Sequence, residues 1–300
     1  MIKLRGAFTA MITPMKGDGS VDYEGFRKHI KNQLEGGING LVPLCTTSET
    51  PTLDEDEEEK MIEIIMNEVR SWEKAKGVKV PVIIGAGSNN TRDAVRYTER
   101  AKKAGADAAL VVTPYYNKPS KEGLFRHFEA VSKVGIPIIV YNIPSRTGVN
   151  IEPATFVELA KHPRIAAIKE ASGNISQVAK LAKQAGGILD IYSGNDDQVI
   201  PILSLGGIGV ISVLSNVAPK AAHDMVMEYL EGDRKKAAAL QLDYLDLINA
   251  LFCEVNPIPV KGAMNLMGYN VGKLRLPLTE IEDAHRELMK KCLKEAGLIA

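Results

Sequence analysis

The chain has few cysteines, few aromatic residues and no excess charge of either sign. Its three cysteines, Cys45, Cys253 and Cys292, are scattered and odd in number. That argues against a disulfide framework or a zinc site and suits a reducing cytosol. Acidic and basic residues number 37 each, so nothing in the charge points to a nucleic-acid or membrane partner. No apolar run approaches transmembrane length. Near the N-terminus two basic residues precede a short apolar stretch. Thr9 and Thr13 interrupt that stretch and Pro14 ends it, so it reads as a strand and not as a leader. The five histidines show no paired ligand spacing. No P-loop or Gly-x-Gly-x-x-Gly follows the first strand, and Gly85-Ala-Gly87 is too short to count. No metal and no nucleotide or redox cofactor is expected.

What is present is a rhythm. Short apolar, β-branched runs recur at 6–14, 40–47, 80–87, 108–116, 136–144, 164–172, 188–195 and 207–216. Continuous runs of this length suit strands buried on both faces, as in a parallel sheet. Amphipathic segments alternate with them at 22–35, 57–74, 92–103, 121–133, 175–184 and 198–205. Many close on a glycine (Gly36, Gly77, Gly105, Gly135, Gly186, Gly206), a residue that relieves the left-handed conformation ending many helices. The acidic run 54–59 opens a helix, where negative charge favours the dipole. The repeat predicts an α/β fold, a (β/α)8 TIM barrel over residues 1–232, with an open doubly wound sheet as the alternative. Beyond Gly232 the rhythm stops. Residues 235–252 and 283–295 read as helices joined by the proline-rich Asn256-Pro-Ile-Pro-Val260, giving a small helical domain over 233–300.

Lys169 is the most unusual residue. It ends the apolar run 164–169 and stands directly before a turn signal. A lysine held out of water gives up its proton more readily, and a neutral amine can attack a ketone to form a Schiff base. The ordinary alternative is a lysine that snorkels to the surface. In a barrel the catalytic groups lie at the C-terminal strand ends. Those ends carry Cys45-Thr-Thr-Ser-Glu49, Thr113-Pro-Tyr-Tyr-Asn117, Tyr141 to Gly148, Lys169-Glu170, Ser193-Gly-Asn-Asp196 and Ser215-Asn216. Singly, each has a plain explanation: Thr46 and Thr47 as helix caps, Tyr115, Tyr116 and Tyr141 as core or interface rings, Arg146 as a surface partner. Jointly they give hydroxyls, phenols and a guanidinium suited to a carboxylate, all at the end that holds Lys169.

These motifs resemble the dihydrodipicolinate synthase (4-hydroxy-tetrahydrodipicolinate synthase) family, within the N-acetylneuraminate lyase superfamily. The resemblance runs nearly end to end, through Ala10-Met-Ile-Thr-Pro14, Val112 to Asn117, Tyr141-Asn-Ile-Pro-Ser-Arg-Thr-Gly148, Ile168-Lys-Glu-Ala-Ser-Gly-Asn174, Gly209 to Val213 and Glu254-Val-Asn-Pro-Ile-Pro-Val-Lys261. It implies a lyase without cofactor that joins pyruvate to L-aspartate 4-semialdehyde in the cytoplasm. By the same resemblance Lys169 forms the Schiff base, and Tyr141, Thr46 and Tyr116 relay protons, Tyr116 being lent by a neighbour in a homotetramer. Thr47, Ile211 and Gly194 seat pyruvate, and Arg146 holds the second substrate's carboxylate. A lysine feedback site would lie near Tyr115, Asn89 and Glu58. The chain departs from the family where Cys45 and Ser48 replace two glycines of the usual Gly-[Thr/Ser]-Thr-Gly-Glu. That departure keeps open a related aldolase acting on a sugar acid or sialic acid. A silent ligand-binding barrel is the reading from another class.

Overall fold

The computed structural model describes residues 4–300; residues 1–3, the start of the stretch read as a strand rather than a leader, lie outside it. All eight expected strands form: β1 (Gly6–Ala10), β2 (Gly40–Val42), β3 (Ile83–Gly85), β4 (Ala108–Val112), β5 (Ile138–Asn142), β6 (Ile165–Glu170), β7 (Asp190–Ser193) and β8 (Gly209–Ser212). Their order is β2-β1-β8-β7-β6-β5-β4-β3. Neighbours in space are neighbours in sequence throughout, with β1 beside β8. A doubly wound sheet would instead reverse its order at a switch point. The fold is a (β/α)8 barrel of parallel strands.

The chain divides into two compact units. One comprises Pro81–Ile211 with residues 4 and 5. Its strands pair in parallel, with Val112 opposite Tyr141, Tyr141 opposite Lys169, and Lys169 opposite Tyr192. β5 is buried along its whole length, as expected of a strand covered on both faces. The other unit comprises Gly6–Val80 and Ser212–Ala300. It holds β1 and β2 with the helices Tyr23–Glu35 and Glu55–Lys76, and the C-terminal helices. Asp22 caps the first of these helices through the Gly25 N–H. Asp54 and Glu57 cap the second reciprocally, which accounts for the acidic run there.

Several sequence expectations need correction. The strands are shorter than the apolar runs, because the run ends become site loops. The segment 235–252 is two helices, Arg234–Asp243 and Leu245–Ala250, which meet at Tyr244. The proline-rich joint enters a helix, Ile258–Leu266, whose Pro259 sits in the first turn where no N–H is missed. Helices Pro144–Thr147, Pro153–Leu159 and Pro219–Glu231 likewise open on proline. Gly36 and Gly186 are not left-handed; the residues after them, Gly37 and Gly187, take that conformation. Among the described residues no helix is long and apolar enough to cross a membrane.

Candidate active site

In the unit spanning Pro81–Ile211, Lys169 and Tyr141 sit in register on adjacent strands. Lys169 is 5% exposed and Tyr141 also 5%. The Lys169 Nζ stands 4.2 Å from the centroid of the Tyr141 ring. The lysine has therefore not snorkelled to the surface; it is enclosed beside a phenol. A second phenol, Tyr192, flanks Lys169 from β7. Its hydroxyl donates to the Leu4 carbonyl, and burial pushes its pKa upward. Tyr192 is thus committed to structure, and Tyr141 is the phenol that faces the amine.

The backbone behind this pair is tied down. Side chains alternate along a strand, so Glu170 and Asn142 point to the opposite face from Lys169 and Tyr141. Asn142 Nδ2 donates to Glu170 Oε2 at 3.0 Å, and the Ser172 N–H donates to Glu170 Oε1 at 2.7 Å. Asn142 Oδ1 accepts from the Ile151 N–H at 3.0 Å. These bonds lock β5 to β6 one residue beyond Lys169 and Tyr141. Gly194 donates its N–H to the Glu170 carbonyl at 2.7 Å. A β-carbon on Gly194 would lie 3.2 Å from Lys169 Cε, so the structure places this predicted residue against the lysine stem.

The remaining predicted residues in this unit differ in exposure. Ile211 is buried on β8. Arg146 is exposed in the short helix after β5. Tyr116 is 89% exposed and holds φ at +69°, an uncommon state for a bulky side chain. Asn117 links the other two expected neighbours, its N–H bonding the Tyr115 carbonyl at 2.8 Å and its Nδ2 the Asn89 carbonyl at 2.9 Å.

In the other unit, Thr46 and Thr47 form a single turn of 3₁₀ helix with Ser48. Thr47 is buried, and its Oγ1 accepts from Asn256 Nδ2 at 3.0 Å. Cys45 and Ser48, which the resemblance sets against family glycines, fit without backbone strain. Cys45 is extended (φ −114°), and Ser48 is not among the residues of positive φ. Ser48 Oγ donates to the Met11 carbonyl at 2.6 Å and accepts from the Cys45 N–H at 3.2 Å. The left-handed positions flank this pair, at Leu44 and Glu49. Glu49 Oε1 meets Lys261 Nζ at 2.8 Å, both side chains fully buried, and Glu49 Oε2 accepts from the Arg275 N–H at 2.9 Å. Burial pushes the Lys261 pKa down, against the pull of Glu49. Glu58 is buried in the first turn of the helix Glu55–Lys76.

Sequence reasoning assigned no role to Asn256, Lys261, Ser48 or Glu170. Asn256 and Lys261 were visible only as letters of a motif, since their partners lie 209 and 212 residues away.

Comparisons with known proteins point to one family. The family model described as the Dihydrodipicolinate synthetase family matches residues 3–296. The 4-hydroxy-tetrahydrodipicolinate synthase of Caldicellulosiruptor bescii is 50% identical over 299 residues, 99% of either chain. The crystal structure of the dihydrodipicolinate synthase from Thermotoga maritima superposes with a TM-score of 0.93 at 42% identity, covering 99% of both chains. That of the chloride-inhibited enzyme from Acinetobacter baumannii, complexed with pyruvate, superposes at 0.94 with 39% identity, covering 99% of this chain and 100% of that one. With eight parallel strands in barrel order and a buried lysine beside a tyrosine, the chain belongs to the dihydrodipicolinate synthetase family.

Proposed function

We propose that the protein is a 4-hydroxy-tetrahydrodipicolinate synthase, a lyase that condenses pyruvate with L-aspartate 4-semialdehyde through a Schiff base on Lys169. The observation that carries this reading is the enclosed Lys169 with Nζ 4.2 Å from the Tyr141 ring. The Lys169 amine attacks the pyruvate ketone, and the carbinolamine loses water as Tyr141 supplies the proton. The resulting iminium draws electrons from the adjacent methyl group. That group gives up a proton and becomes an enamine carbon. The carbon bonds to the aldehyde carbon of the semialdehyde, whose oxygen takes a proton. The product's own amine then displaces Lys169 and closes the ring.

Thr46 and Tyr116 extend the proton route from Tyr141. Thr47, the Ile211 backbone and Gly194 seat pyruvate, and the exposed Arg146 guanidinium receives the semialdehyde carboxylate. Residues 1–232 carry the barrel, and the helical residues 233–300 lend Asn256 and Lys261 to the Thr46–Thr47 turn. The exposed Tyr116 in its left-handed conformation suits a side chain lent to a neighbour in a cytoplasmic homotetramer. Tyr115, Asn89 and Glu58 are the residues proposed for feedback by lysine.

Borohydride trapping tests the chemistry. With pyruvate the protein should gain the mass of one reduced adduct, lost in Lys169→Ala. Absence of an adduct in the parent protein would overturn the reading. A coupled assay with both substrates tests the specificity. Cleavage of a sugar acid without turnover of the semialdehyde would assign the chain to a different aldolase.

A further inference from the structure

A second cluster of reactive side chains lies among the C-terminal helices. Cys253 and Glu254 occupy the turn after the helix Leu245–Ala250, and His285 lies in the first turn of the helix Asp283–Glu295. One donor atom from each falls within 4.8 Å of the other two: the thiol sulfur, a carboxylate oxygen and a ring nitrogen. The arrangement is already held. Glu254 Oε1 accepts from the Glu282 N–H at 3.0 Å and stands 2.8 Å from His285 Nδ1. The Glu282 carboxylate comes within 3.9 Å of the same nitrogen. All three donor residues are half-buried, sheltered but open to an ion from solvent.

We propose that Cys253, Glu254 and His285 bind a divalent ion of the zinc class. A glutamate beside a histidine needs no metal to explain it. A thiol converging on the same point is different, because sulfur and imidazole together select zinc, cobalt or nickel over magnesium and calcium. Three protein donors leave a fourth tetrahedral position for water or Glu282. On binding, the thiol releases its proton to solvent and the sulfur bonds the ion. The ion has a structural task. It ties the turn at 253–254 to the C-terminal helix, and two residues further on Asn256 donates to Thr47.

The test uses the full chain, stripped with chelator and titrated with Co2+. A single Co2+ per chain should bind with thiolate-to-cobalt charge-transfer absorption. Zn2+ should displace it and raise the melting temperature. Cys253→Ser should lose the absorption band, while Cys292→Ser keeps it. His285→Gln should weaken binding by more than the roughly ten- to hundredfold that loss of an outer-shell partner costs. No charge-transfer band in the parent, or a band that persists in Cys253→Ser, overturns the proposal. Should Cys253→Ser fail to fold, unchanged Co2+ affinity in His285→Gln overturns it equally. No substrate enters these measurements, so they stand or fall separately from the trapping of pyruvate on Lys169.

Discussion

Gly194 leaves the space that the stem of Lys169 occupies. A β-carbon at position 194 would stand 3.2 Å from Lys169 Cε and 2.7 Å from the Ala171 β-carbon. The second distance is shorter than packed carbons tolerate, so Gly194→Ala must displace the turn after β6, the lysine, or both. Overpacking of this kind costs about 1–3 kcal/mol, and each ~1.4 kcal/mol is tenfold in rate. Gly194→Ala should therefore slow trapping of the pyruvate adduct by roughly ten- to hundredfold while the protein stays folded. An unchanged trapping rate would show that the lysine stem does not depend on this glycine.

Tyr116 offers a different separation. Its ring is exposed in the single chain, so removing its hydroxyl should leave the fold and the lysine untouched. Tyr116→Phe should reduce turnover with both substrates by roughly the 10²–10⁴-fold that a positioned proton donor supplies, yet still form the adduct. Full activity in this variant would remove Tyr116 from the proton route.

The turn that carries Thr46 and Thr47 hangs on the buried pair Glu49–Lys261. Lys261→Met would leave the Glu49 carboxylate buried without its ion-pair partner. Such a deletion typically costs about 3–5 kcal/mol, readable as a lowered urea midpoint. Adding Glu49→Gln removes the stranded charge while retaining an acceptor for the Arg275 N–H. The double variant should recover most of the loss. If it is as unstable as the single variant, the cost lies in packing and not in charge.

These residues also mark where sequence legibility stops. The strands could be read because a doubly buried strand needs an unbroken apolar run, and each run here is bounded by turn residues. Lys169 could be read because it breaks that pattern. The helix Pro153–Leu159 was missed because proline signals an interruption, although at a first helical position it costs nothing. The Asn256–Thr47 and Lys261–Glu49 contacts have no local signature. Each joins residues more than two hundred positions apart, and only folding brings them together.

Ser48, which the resemblance sets against a family glycine, bridges the Met11 carbonyl and the Cys45 N–H. Ser48→Gly should remove both bonds and add backbone freedom. Each hydrogen bond is worth about 1 kcal/mol net, and glycine adds roughly 0.5–1 kcal/mol of chain entropy. The expected loss is therefore about 2–3 kcal/mol in unfolding free energy, with a raised KM for pyruvate as the turn loosens. Unchanged stability would mean that the serine merely occupies space.

The pH dependence of stability should be set in part by two buried histidines. Burial pushes His29 and His127 from the usual 6.5 down to about 4. The Asn216 amide fixes the His29 tautomer. Its Nδ2 donates to the Ala10 and Val213 carbonyls, so its Oδ1 accepts from His29 Nε2 at 3.0 Å. The other ring nitrogen, Nδ1, is buried without a hydrogen-bond partner among the described residues. His127 is similar: Nδ1 meets Thr91 Oγ1 at 3.0 Å, and Nε2 has no hydrogen-bond partner among the described residues. The unfolded chain therefore takes up these protons at higher pH than the folded one. Stability is fully present above about 6.5, falls as pH drops through that window, and levels off once the folded rings also protonate near 4. Each ring contributes at most about 3 kcal/mol across the window. In urea melts at several pH values between these limits, His29→Gln should show a shallower fall than the parent, because its amide can still donate to Asn216 but cannot titrate. Equal slopes in the two proteins would mean that the buried imidazole gains its proton without opening the fold.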